Sequence, residues 1–181
     1  MIVRDFSPIP YQGGKLSLSD RTQAIMKFGT NWPADMKSQD TLIRHLTKSL
    51  DNSFTILRNV WLPRAEGTVP LILIGPPGIT VIYNSPAKGV FRTQGSSWAI
   101  MGGRGSFQPS KPNLIMRATL MAGAVQTYLH ENSYSDLSVD GVLAFTNPGT
   151  HVDAIRPDVR VVLIDALERL AAQLTSDPPI L

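Results

Sequence analysis

Two short apolar runs, Val69 to Ile74 and Ile79 to Tyr83, flank Gly75-Pro76-Pro77-Gly78. Runs of that length, rich in Val and Ile and parted by a Gly/Pro turn, predict adjacent strands of a hairpin. Gly89 to Arg92, after the Asn84-Ser85-Pro86 break, predicts a neighbouring strand, and Trp98 to Met101 one more at an edge. Upstream, Leu42, Ile43, Leu46 and Leu50 fall at helical spacing, so Ser38 to Leu50 predicts a helix capped by Ser38, followed by a strand over Phe54 to Leu62. Downstream, Asn113 caps a long helix to His130 whose body is rich in Leu, Met and Ala on nearly all sides, as suits a helix laid over a sheet. Val139 to Phe145 and Val159 to Ile164 are β-branched runs of the kind buried in a parallel or mixed sheet, and Asp165 to Leu174 closes the chain as a helix. The segment TNPGTHVDAIRPD between those two strands reads as a loop, as does most of Gly95 to Lys111. The order predicts an α/β protein with a mixed central sheet flanked by helices.

Composition sharpens this picture. With 181 residues, 43% of them hydrophobic, the chain has enough apolar mass for one domain with a full core. Scattered Pro and Gly mark residues 1–37 as an arm, with a short helix over Ser17 to Phe28 capped by Ser19 or Asp20; 38–175 form the domain and 176–181 a tail. The absence of cysteine excludes a disulfide framework, a thiolate metal site and a cysteine nucleophile, and favours a reducing compartment. No apolar run approaches the roughly 20 residues that span a bilayer, and the N-terminus lacks the order of a signal peptide, so a cytoplasmic, non-membrane protein is expected.

The net charge of +3 hides a division: residues 1–117 carry 14 Lys or Arg against 6 Asp or Glu, and 118–181 carry 3 against 8. A split of this kind suits a basic face toward a polyanion, and equally a solvated surface. Residues 58–117 hold Arg58, Arg64, Lys88, Arg92, Arg104, Lys111 and Arg117 against Glu66 alone. Phosphate neutralisation dominates nucleic-acid affinity, and Tyr83, Phe91 and Trp98 are candidates for stacking on bases, although core packing is the commoner use of such aromatics. No Asp or Glu stands between Glu66 and Glu131, so the hairpin offers no carboxylate to a hard cation. Neither Gly102-Gly103-Arg104-Gly105 nor Gly75-Pro76-Pro77-Gly78 carries the Gly-Lys-Ser/Thr of a phosphate loop, and His45 beside its apolar stripe lacks a nucleophile nearby.

The sequence VWLP before the hairpin, LILIGPPGITVI within it, KGVF after it, Trp98, the helix opened by Asn113 and the late VLAF strand together resemble the nuclease-related domain family over about residues 38–174. That family is similar to the PD-(D/E)XK nucleases, and the resemblance implies a restriction-endonuclease-like core. Its hairpin pattern, I-D-x-x-x-x-G-P-x-G-x-x-x-I-E-x-K, places the metal-binding Asp and Glu at Pro70 and Tyr83, and the catalytic Lys at Ser85. A helix Glu of the family falls at Gln39 or Asp40, and a Gln of its long helix at about Arg117. Proline, tyrosine and serine cannot supply two anionic ligands and a cation, so the usual metal-dependent catalysis is expected to fail.

The resemblance therefore implies a catalytically degenerate domain that binds DNA or RNA through a basic face, with Arg58, Lys88, Arg92, Arg104, Lys111 and Arg117 as candidates and with no cofactor. A different class is a protein-interaction module that engages a partner through the N-terminal arm without nucleic acid. A third is an active nuclease, using Mg2+ or Mn2+, with Asp40, Glu66 and Lys88 as migrated substitutes.

Overall fold

The computed structural model describes residues 1–7, 22, 31–63, 65 and 67–180. In chain order its elements are β1 (Ile2–Asp5), α1 (Trp32–Ser49), β2 (Thr55–Trp61), β3 (Thr68–Gly75), β4 (Gly78–Ser85), β5 (Gly89–Gly95), β6 (Ser97–Met101), β7 (Phe107–Pro109), α2 (Leu114–Glu131), β8 (Val139–Phe145), β9 (Thr150–Pro157), β10 (Arg160–Leu163) and α3 (Leu167–Ser176). Apart from Thr22, the expected helix over Ser17 to Phe28 lies outside the described residues, as do Arg64 and Glu66.

Six strands form the main sheet in the order β1-β2-β3-β4-β8-β10. The β2–β3 and β3–β4 pairs are antiparallel, while β1–β2, β4–β8 and β8–β10 are parallel, which makes the sheet mixed. Because side chains alternate along a strand, its central strands cover both faces with apolar groups. On one face Ile56, Leu71, Leu73, Ile82, Val142 and Ala144 meet Leu42 and Leu46 of α1 and Leu170 and Leu174 of α3. On the other, Ile72, Ile79 and Val81 meet Ala122 and Val125 of α2, and Leu143 and Phe145 meet Ile115 and Ala118. The protein is thus α/β, with helices on both sides of a mixed sheet.

The hairpin matches its prediction, and the turn explains its glycines. Gly75 pairs with Gly78 across Pro76-Pro77, a Cβ at Gly75 would run into the Phe54 ring, and Gly78 has φ of 128°. The Asn113 cap also holds: its side-chain oxygen accepts from Met116 N at 2.9 Å.

Elsewhere the structure corrects the expectation. Gly89 to Arg92 does not join the hairpin sheet; β5 opens a second sheet, ordered β7-β6-β5-β9. The strand at 97–101 is interior to that sheet, between β5 and β7, and the segment expected as a loop forms β9, parallel to β5. The arm supplies β1, an edge strand parallel to β2. Finally, α1 begins at Trp32, with Asn31 as its N-cap and Pro33 in the first turn, so Ser38 lies inside the helix. Proline is well tolerated there because the first amides of a helix have no intrahelical partner.

Candidate functional site

Between β2 and β3 the ladder runs from Thr55↔Ile74 to Arg58↔Leu71 and resumes at Val60↔Val69, leaving Asn59 and Pro70 opposite one another without a pairing. Pro70 has no N–H to donate, and Asn59 takes a left-handed φ of 53°. This interruption lies on the wall of a cavity of about 410 Å³, also lined by Trp32, Asp35, Gln39, Trp61, Tyr83, Asn84 and Arg117. A second cavity of about 490 Å³ shares Asp35, Tyr83, Asn84 and Arg117 with it and is lined further by Ser85, Lys88, Lys111 and the starts of α1 and α2. The two form one bipartite cleft.

Three positions aligned by the family pattern therefore come together at this cleft. Pro70 and Tyr83 line the first cavity and Ser85 the second. Of the two helix alternatives, Gln39 lines the first cavity, whereas Asp40 does not and bonds Arg58 Nη1 at 2.8 Å. Arg117, aligned with the long-helix Gln, lines both cavities and donates to Tyr83 Oη at 3.2 Å.

The six candidate cations separate into distinct environments. Arg58 is 5% exposed; it donates to Gln39 Oε1 at 2.6 Å, to Asp40 and to the Met36 carbonyl, so it has no face to offer a polyanion. Arg92 is half-exposed but bonds Asp153 at 2.8 Å and lies 4.0 Å over the Phe107 ring. Arg104 sits in the exposed turn between β6 and β7. Lys88, Lys111 and Arg117 line the cleft, and none of them forms an ion pair with a described residue. The proposed stacking aromatics all border the cleft: Phe91 and Trp98 are buried, stack on each other at 4.9 Å and line the second cavity, while Tyr83 lines both.

Asp35 is the residue that the sequence pattern hides. It projects from the first turn of α1, one turn ahead of Gln39, and borders both cavities. Desolvation by burial raises its pKa from 3.8 to about 6, against the lowering effect of the Arg117 guanidinium. Asn84, 5% exposed, donates to the Asp35 carbonyl at 3.1 Å. A helix start recognised at Trp-Pro would have placed Asp35 and Gln39 on one face, four residues apart.

A divalent cation held as in the PD-(D/E)XK nucleases does not fit these residues. Asp35 is the single carboxylate among the described lining residues, and no three His, Cys, Asp or Glu gather anywhere among the described residues. Hard cations take several oxygen ligands, whereas Pro70 has no donor atom in its side chain and Tyr83 already faces a guanidinium. No family model matches the chain, and no curated protein or solved structure matches it. Among the described residues no helix is long and apolar enough to cross a membrane.

Proposed function

We propose that the protein is a catalytically degenerate nuclease-like domain that binds nucleic acid in the bipartite cleft. The observation that carries this reading is the second cavity, lined by the first turns of α1 and α2 and by Lys88, Lys111 and Arg117, none of which forms an ion pair with a described residue. Helix N-termini carry partial positive charge, and α2 has no acidic residue in its first turn to offset it. Three cations and two positive helix ends face one half-buried carboxylate, a balance that favours a phosphate chain. The lone carboxylate leaves phosphodiester cleavage by the two-ligand metal arrangement without its machinery.

The test is a titration of labelled single- and double-stranded DNA with Mg2+ or Mn2+ present, reading binding and cleavage together. Expected is binding without cleavage that weakens with salt, with a log–log slope of about −2 for three neutralised phosphates of a single strand. The triple variant Lys88→Ala, Lys111→Ala, Arg117→Ala should lose at least tenfold in affinity and most of that slope. Cleavage that tracks added metal overturns the degenerate part of the reading. Salt-insensitive behaviour overturns the nucleic-acid part and favours a protein partner. For that second reading the specific observation is the outer side of α2, where Met116, Leu120 and Tyr128 are exposed.

A further inference from the structure

Resting on the nucleic-acid reading above, we infer that the bound strand does not end in the bipartite cleft: its backbone runs on across Pro86 into a third cavity, where Lys37 takes a further phosphate. This third cavity, of about 290 Å³, lies between α1 and the loop that joins β8 to β9. It shares Ala34 and Pro86 with the second cavity, so the two are neighbours across a ridge made by those residues. Its other described lining residues are Lys37, Ser38, Thr41, Thr146, Asn147 and Pro148, with no carboxylate among them.

Charge and position give this cavity its ligand class. Lys37 is exposed and forms no ion pair with a described residue, and the carboxylate three residues on, Asp40, is bonded to Arg58 at 2.8 Å. An ammonium beside a hydroxyl-lined recess that holds no opposing carboxylate suits a phosphate. The recess is also fixed in place, because the Thr146 hydroxyl donates to Ser38 Oγ at 2.8 Å and ties α1 to the end of β8. Lys88 joins the two cavities: it lines the second, and its stem lies on Gly149, the residue that follows the Asn147-Pro148 wall of the third. A Cβ at Gly149 would stand 2.9 Å from Lys88 Cε, so the bare glycine lets the stem lie there. Lys88 and Lys37 therefore flank the ridge. Ala34 on the ridge and Lys37 in the recess are three residues apart, about 4.5 Å along α1. A stacked strand advances roughly 3.4 Å per phosphate, so about one or two nucleotides carry a backbone across.

The experiment measures, on the full chain, the salt dependence of binding to two labelled oligo-dT strands, one of about four nucleotides, enough for the cleft alone, and one of about twelve. At a slope of about −0.7 per neutralised phosphate of a single strand, the short strand should give about −2 and the long one about −3. Lys37→Ala should return the long strand to about −2 and weaken it severalfold at low salt, while leaving the short strand as it was. Lys48→Ala removes an equal charge from the last turn of α1, outside all three cavities, and should move neither slope. Equal slopes for the two strands, or Lys37→Ala and Lys48→Ala acting alike on the long one, overturn the inferred path while leaving the cleft reading standing. If neither strand is held at low salt, both readings fall together.

Discussion

Arg58 and Arg117 show how one side chain serves two purposes within a single domain. Arg58 projects from β2 beneath α1 and is enclosed: Gln39, Asp40 and the Met36 carbonyl accept its hydrogen bonds, and Asp5 lies 3.7 Å from Nη1. Arg117 projects from α2 into the cleft, bonds only the neutral Tyr83 hydroxyl among the described residues, and faces the half-buried Asp35 without pairing to it. A buried guanidinium needs a full set of acceptors to offset its desolvation, and the one with that set is structural. The one lacking it retains donors for a ligand. Count of basic residues along the chain says nothing about this difference; partners decide it.

The largest effect expected from breaking the contrast is on the enclosed side. Arg58→Ala leaves the Asp40 carboxylate, Gln39 and a buried carbonyl without their common donor, and removing one partner of such a pair costs about 3–5 kcal/mol. Urea unfolding should show this as a lower midpoint with the slope unchanged. Arg58→Met with Asp40→Leu, which removes both charges, should recover part of the loss. A loss below about 1 kcal/mol for Arg58→Ala would mean the cluster is not the structural unit its geometry describes.

A smaller effect, of opposite sign, is expected on the open side. Asp35 has its pKa raised to about 6, so between its ordinary value of 3.8 and 6 the folded protein binds more protons than the unfolded chain, and stability falls as pH rises through that window. Asp35→Asn removes the desolvated charge. It should stabilise the protein by about 1 kcal/mol above pH 6, a figure discounted for the partial exposure of the group, with the gain shrinking as pH falls and gone near pH 4. Melting curves at pH 7.5 and pH 4.5 check both the sign and the window. On the proposed nucleic-acid reading, affinity for single-stranded DNA should also rise from pH 7.5 to 5.5 as the carboxylate is neutralised, and that rise should be absent in Asp35→Asn.

The same contrast explains what the chain let one read. The hairpin, α2 with its Asn113 cap, and β8 were legible because their burial is local: Val, Ile and Leu at strand or helix period announce a covered face. The second sheet was not, because β9 is an edge strand whose side chains are mostly exposed and whose place is set by backbone pairing to β5 across a long stretch of chain. Its Asp153, Arg156 and Pro157 look like loop residues for that reason. At the site, Pro70 and Tyr83 were placed correctly on the hairpin by the turn that anchors it, and the cavity they line follows from that register. Asp35 was hidden by Pro33, which reads as a break in an arm yet sits in a first helical turn. The role of Arg58 depends on Asp40 in a different element, a distance no periodicity spans.

Arg92 tests whether a partner alone, without burial, is enough to make an arginine structural. It has Asp153 at 2.8 Å and the Phe107 ring beneath it, so its inventory of contacts resembles that of Arg58. Its side chain is nevertheless 48% exposed and that of Asp153 47%, so water and salt screen the pair and both ends keep their hydration. Exposed pairs of this kind contribute about 0–1 kcal/mol, and a cation–π contact at an exposed site about 0.5–1. Arg92→Ala should therefore lower stability by about 1 kcal/mol or less, with the loss reduced further at high salt, and Arg92→Lys should keep the ion pair while weakening the stacked contact. A loss approaching that of Arg58→Ala would show that pairing outweighs burial in this fold, and would move the dividing line between structural and ligand-facing cations from solvent exposure to partner count.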